Sequence, residues 1–189
     1  MATLPPPPPA GPSESGGPRP IAVLHGLVLV LFWTQALWLW PRLPARIPVH
    51  FGASGAVDRW APTTLVTWFA LPLLAALISA SLWGLGRWAV TAPKLWNVPE
   101  KERFLALSPE ARAPVMDMVR GFLDGTGIVT ILFLGLMHWW TYRTATGASR
   151  GLSRLFPLWI SLAVLGALVA SVALYVRLQR RILEASRSA

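Results

Sequence analysis

Charge is nearly absent from four stretches of this chain, residues 21–40, 65–90, 122–142 and 155–176, and polar residues crowd the segments between them. A helix needs roughly 20 residues to cross a bilayer core of about 30 Å, and each stretch is that long. In lipid the backbone must satisfy its own hydrogen bonds, which leaves helices and closed barrels as spanning structures. None of the stretches alternates apolar and polar residues as a barrel strand does. The pattern predicts an all-α membrane protein with four transmembrane helices in a bundle. Pro41 stops the first helix, and Pro72 lies inside the second.

The connecting segments predict finer structure. In loop 41–64, the turn formers Gly52-Ala53-Ser54-Gly55 separate Val49-His50-Phe51 from Ala56-Val57-Asp58, the pattern of an ordered loop packed on the helix ends, either a small β-hairpin or a compact loop. In loop 91–121, Ser108-Pro109-Glu110 has the form of an N-cap, a first-turn proline and an acidic first turn. Phe104, Leu105 and Leu107 beside Lys101 and Arg103 predict a short amphipathic helix lying on the membrane surface. Residues 1–20 are rich in proline, glycine and serine, which predicts a disordered spacer with polyproline II character over residues 5–9. That tail is too long and too weakly charged for a signal peptide, so the first helix is expected to remain as an anchor. Residues 178–189 form a basic tail.

Composition agrees with the pattern. Hydrophobic residues make up 54% of the 189 and charged ones only 13%, against about a quarter charged in a soluble domain. A net charge of +9 would suggest nucleic acid in a soluble protein; here it reads as topology and lipid attraction, with no nucleic-acid partner expected. Arg19, the six basic residues from Arg87 to Arg120, and Arg177, Arg180, Arg181 and Arg187 total eleven. Arg42, Arg46, Arg59, Arg143, Arg150 and Arg154 total six. This excess predicts cytoplasmic termini and a cytoplasmic loop 91–121. Tryptophans at 38, 40, 60, 68, 139, 140 and 159 would lie near the outer interface, and those at 83, 88 and 96 near the inner one. Small residues at four-residue spacing (Ala76, Ala80 and Gly84; Gly121 and Gly125; Ala163, Ala167 and Ser171) predict close helix packing within the bundle and leave homo-oligomerisation open.

Candidate chemistry concentrates in the first outer loop, where Leu43, Pro44, Ile47, Pro48, His50, Phe51, Gly55, Asp58 and Trp60 spell LPxxIPxHFxxxGxxDxW. This string resembles the signature of a bacterial membrane domain of unknown function that includes the SdpI-like family of immunity proteins against a sporulation-delaying toxin. Asn97-Val98-Pro99, Lys101 and Phe104-Leu105 are similar to a cytoplasmic NxPxK…FL stretch of some members. A lysine expected shortly after the aspartate is replaced by Pro62-Thr63-Thr64. The resemblance covers residues 21–145 and implies a multi-pass protein of the bacterial inner membrane linked to toxin immunity or signalling.

The residues leave several roles open. His50 and Asp58 can lock the loop with Arg46 or Arg59, recognise an extracytoplasmic peptide or protein, or bind a metal with His138 as third ligand, although two ligands on one loop are a weak signal. His25 and Asp124 enter the membrane at similar depth and are expected to pair, and Gln35 is expected to bond across helices. A polar path through His25, Gln35, Asp124 and His138 would suit a small transporter or its accessory subunit. No catalytic motif or cofactor fingerprint stands in the chain. The first expectation is therefore a non-enzymatic interaction protein, with a transporter and a metal-dependent enzyme as alternatives.

The basic-residue distribution is testable because the chain lacks cysteine. Single cysteines at positions 54 and 186, treated with an impermeant thiol reagent on intact cells, should label at 54 alone. Labelling at 186 alone would reverse the orientation.

Overall fold

The computed structural model describes residues 19–153 and 156–187. The expected polyproline segment, Arg154, the first residue of the fourth apolar stretch and the last two residues lie outside them. The elements are α1 (Pro20–Leu39), β1 (Arg46–Phe51), β2 (Val57–Pro62), α2 (Leu65–Thr91), α3 (Lys101–Ala106), α4 (Pro109–Ala145) and α5 (Phe156–Arg187). Single 3-10 turns follow α1 and α2. Helices α1, α2, α4 and α5 are each long and apolar enough to cross a membrane, which marks a multi-pass membrane protein.

Local chemistry explains the element ends. Pro20 starts α1, where its missing N–H costs nothing. Thr64 caps α2 in a reciprocal box: its hydroxyl accepts from the Thr67 amide at 3.1 Å, and the Thr67 hydroxyl accepts from the Thr64 amide at 2.9 Å. The Pro62-Thr63-Thr64 segment thus closes β2 and opens α2 in immediate succession. The Ser108 hydroxyl caps α4 by accepting from the Ala111 amide. The cap and the third apolar stretch belong to one continuous 37-residue helix, longer than the expected span 122–142.

Three differences from expectation concern packing. The bundle is built from α1, α2 and α4, while residues 157–172 of α5 are exposed on every face, Ala163, Ala167 and Ser171 included. Lipid solvates apolar side chains as well as protein does, so an apolar helix is not driven into a bundle by hydrophobicity. Helix α5 is held instead at its two ends: Phe156 stacks on Phe133 at 6.0 Å, and Leu178 and Ile182 enter a core with Phe104, Leu107, Val115, Met116 and Val119. That core is the second difference. Phe104 of α3 is wholly buried within the protein, rather than laid on a membrane surface. Third, the closely packed stripe of α2 is Pro72, Ala75 and Ser79, displaced from Ala76, Ala80 and Gly84 because Ser79 turns inward to a polar partner.

Pro72 creates a specific need. A proline cannot donate to the carbonyl four residues back, so the carbonyl of Trp68 loses its helical partner. In an apolar surround that oxygen must be satisfied by a neighbour. His138 of α4 supplies the donor, with Nε2 3.3 Å from the Trp68 oxygen. The imidazole lies between two rings, 3.8 Å from Trp68 and 5.4 Å from Phe32 by centroids. Trp68 in turn donates its indole N–H to the Ala36 carbonyl of α1 at 2.9 Å, so one constellation ties all three helices near the hairpin. Trp68 is buried, a core residue at this end of the bundle rather than part of an interfacial belt.

His138→Phe keeps a ring but orphans the Trp68 carbonyl, which should cost about 1–3 kcal/mol of stability. Pro72→Ala restores an amide for that carbonyl. The double variant should therefore melt above His138→Phe in detergent, and strict additivity would exclude the compensation.

Candidate functional site

Two polar sites lie at opposite ends of the three-helix bundle. At one end stands the antiparallel hairpin β1–β2. Arg46 pairs with Pro62, Ile47 with Ala61, Pro48 with Trp60, His50 with Arg59 and Phe51 with Val57. This register leaves Val49 and Asp58 as extra residues, one bulge in each strand. The paired bulges bring His50 and Asp58 together, with Nδ1 2.6 Å from the carboxylate. Both side chains remain more than half exposed, at 57% and 52%. Asp58 fixes Nδ1 and leaves Nε2 of the ring for a further partner.

The rest of the motif holds the hairpin still. Ile47 and Pro48 are buried, Ile47 against Leu39 and Trp68 with Leu43 packed alongside. The Pro44 carbonyl accepts from the Thr63 hydroxyl at 2.6 Å. Arg46 donates to the Trp60 carbonyl at 3.3 Å, which engages it with the opposite strand rather than with Asp58. Trp60 and Arg59 are exposed. Gly55 has φ +79°, and its carbonyl accepts from the Leu152 amide at 2.8 Å. A Cβ on Gly151 would come within 2.3 Å of that carbonyl oxygen, so two glycines let the turn dock against the α4–α5 loop. Ala56 and Gly151 form an isolated bridge there. Loop residues 147–153 were no part of the sequence motif; the turn formers Gly147 and Gly151 were the available signal.

Beneath the hairpin lies a cavity of about 610 Å³ lined by His50, Trp68, Leu71, Phe133, His138 and Phe156, among others. A neighbouring one of about 560 Å³ runs along Phe51, Gly55, Leu152, Phe156, Pro157 and Ile160. Volumes of roughly 300–1,000 Å³ with mostly apolar walls and few polar groups are typical of ligand clefts. Nδ1 of His138 is buried without a hydrogen-bond partner. Its Nε2 already serves the Trp68 carbonyl, so His138 is not free to complete a metal site by that atom. Among the described residues no three His, Asp or Glu side chains gather as metal ligands.

The second site lies at the other end. Asp124 of α4 is buried and accepts from Arg19 Nη2 at 3.0 Å and from His25 Nδ1 at 3.1 Å. His25, also wholly buried, meets the Ser79 hydroxyl of α2 at 3.1 Å through Nε2. The Trp83 ring lies over the imidazole at 4.8 Å. Gly127 makes room: a Cβ there would sit 2.3 Å from the ring. The sequence pointed to His25 and Asp124 as a pair but not to their further partners, Arg19 and Ser79. Arg19 reads as a topological charge in a tail, and Ser79 is signalled only by being a lone hydroxyl on an apolar helix.

An apolar layer separates the two sites. Phe32 of α1, Ala75 of α2, and Ile131 and Leu134 of α4 form a buried cluster between the His25–Ser79–Asp124 level and the Ala36–Trp68–His138 level. Gln35 donates across to the Gly135 carbonyl at 3.4 Å and so is spent on helix packing. The four intramembrane polar residues form no single hydrogen-bonded chain.

Gly127→Ala drives a methyl into the His25 ring and should destabilise the protein by about 1–3 kcal/mol. Adding His25→Ala removes the clash, so the double variant should lose less than the sum of the two single losses in detergent melts. Equal losses in the two backgrounds would mean that the ring does not occupy this position.

Residues 27–76 match the family model described as a domain of unknown function (DUF1648). This is about a quarter of the chain, from the middle of α1 through the hairpin to the middle of α2. No curated protein and no solved structure matches the chain.

Proposed function

We propose that this chain is a non-enzymatic, multi-pass protein of the bacterial inner membrane whose hairpin recognises an extracytoplasmic peptide, in the manner of the SdpI-like immunity and signalling proteins it resembles. The observation that carries the reading is the cavity of about 610 Å³ beneath the hairpin, with exposed His50 at its mouth and buried His138 in its wall. The hairpin is anchored through Ile47, Pro48 and the Gly55–Leu152 bond, so it meets a partner with little left to order. The eleven-to-six distribution of basic residues supports cytoplasmic termini and an outward hairpin.

Charge narrows the partner. Loops 41–64 and 143–154 hold six arginines against the single carboxylate of Asp58. An amphipathic peptide with acidic side chains matches this surface: its apolar face enters the cleft and its carboxylates meet the arginines. His50 Nε2, left open by the Asp58 contact, supplies a directional polar contact at the rim. The polar path required of a transporter has less support, because Phe32, Ala75, Ile131 and Leu134 interrupt it. An exposed His–Asp pair at which no group of three metal-ligating side chains gathers among the described residues supports recognition.

The test uses the full chain in nanodiscs and three fluorescent amphipathic peptides of equal hydrophobicity, acidic, neutral and basic. The acidic peptide should bind best, and His50→Ala should weaken it about tenfold while melting temperature stays unchanged. Equal binding of all three peptides, or no effect of His50→Ala, would sink the proposal.

A further inference from the structure

At the end of the bundle opposite the hairpin, Arg19, Arg87 and Arg120 line a cavity of about 220 Å³ together with Trp83, Leu123 and Asp124. Three different segments contribute the guanidinium groups: the residue before α1, the last part of α2 and the first half of α4. Their bonds within the protein leave much of their donor capacity unused. Arg19 gives Nη2 to Asp124, while its Nη1 is buried without a partner. Arg120 gives Nε to the Gly86 carbonyl at 3.2 Å and Nη1 to Asp117 at 3.3 Å, a contact on an exposed helix face. Such an i,i+3 surface pair contributes only a few tenths of a kcal/mol. Arg87 makes no hydrogen bond or ion pair among the described residues.

We propose that this cavity is a binding site for a phosphate group, and that a phospholipid headgroup is its natural source. Guanidinium forks match phosphate oxygens in geometry and charge, which is why arginine serves wherever such groups are recognised. Asp124 does not make the site repulsive, because the charge of Arg19 at 3.0 Å offsets its own and leaves Arg87 and Arg120 as the net charge of the lining. The same contact fixes Arg19 in place, and the Gly86 carbonyl fixes Arg120. The lining combines the three arginines with Leu82, Trp83 and Leu123. A headgroup phosphate with its acyl chains presents that combination of charge and hydrocarbon, whereas a free phosphate presents charge alone. The level fits as well. Asp124 lies where the apolar part of α4 begins, and Trp88 and Trp96 meet with tilted rings, centroids 5.7 Å apart, near the end of α2, where interfacial tryptophans gather. The site is separate from the hairpin cleft and independent of what binds there.

The experiment follows the melting temperature of the full chain in neutral detergent–phosphatidylcholine micelles as phosphatidylglycerol or inorganic phosphate is titrated in. Phosphatidylglycerol should raise the melting temperature, and Arg87→Gln and Arg120→Gln should each shift the half-maximal concentration about tenfold upward, the loss expected for one charge-assisted contact. Arg87 has no hydrogen bond or ion pair to lose among the described residues, so its variant should melt normally without added anion. Arg180→Gln/Arg181→Gln, in the basic tail, should leave the response intact. A response to inorganic phosphate with the same variant pattern would keep the site and assign a soluble source. An unchanged response in both Arg87→Gln and Arg120→Gln, or its loss in the tail variant, would overturn the proposal.

Discussion

The contact between His25 and Asp124 across Gly127 is the constraint around which the bundle is arranged. A carboxylate buried among apolar helices is costly unless its oxygens are met by donors. Arg19, the residue before α1, and His25, in its second turn, meet them. Helix α1 must therefore approach α4 closely enough for an imidazole to reach Asp124, and only a glycine at 127 leaves that room. The second imidazole nitrogen then selects the rotation of α2, because Ser79 must face it. One polar residue on α4 thus sets the neighbours and rotations of two helices. Apolar burial in lipid, being nearly indifferent to partner, does not do this. Helix α5 illustrates the contrast: the hydroxyls of Ser161 and Ser171 bond back to carbonyls of their own helix, and residues 157–172 stand clear of the other three.

The same logic works at the hairpin end with a backbone group in place of a side chain. Pro72 leaves the Trp68 carbonyl unpaired, and that oxygen fixes His138 and hence the facing of α4. Trp68 passes the constraint to α1 through the Ala36 carbonyl. Polar anchors at two levels, with apolar packing between them, define the bundle more sharply than a continuous apolar interface would. They also give the hairpin a fixed floor, since Ile47 rests on Leu39 and Trp68.

Much of this was legible in the residues. Four stretches nearly free of charge marked the helices, and the turn formers between Phe51 and Ala56 marked the ordered loop that forms the hairpin. Depth counting brought His25 to Asp124. What stayed hidden depends on geometry that periodicity does not encode. Helix rotation decided between Ser79 and its neighbours Ala76 and Ala80, and small residues alone carry no preference between those faces. Phe104 reads as a membrane-surface residue because Leu178 and Ile182, which cover it, lie more than seventy positions away. The two strand bulges that join His50 to Asp58 leave no mark in an alternating pattern. His138 read as a free ligand because the need it fills arises from a proline sixty-six positions earlier. The spanning length of α5 was plain, but spanning length does not specify a neighbour.

The hairpin end raises a question that stability alone does not answer. An exposed ion pair such as His50–Asp58 contributes at most about 1 kcal/mol, and the hairpin is already held by Ile47, by Pro48 and by the Thr63 and Leu152 bonds. Removing both side chains would cost the fold little. Yet two bulges, each a break in the strand ladder, are spent on bringing them together. Bulges next to functional sites serve to re-aim side chains, and here they aim an imidazole at the mouth of an apolar cleft while a carboxylate fixes its rotation. A surface built only for its own stability would place an unbroken ladder there. The geometry therefore supports the proposed role of the hairpin in recognition, for which the imidazole must be held still.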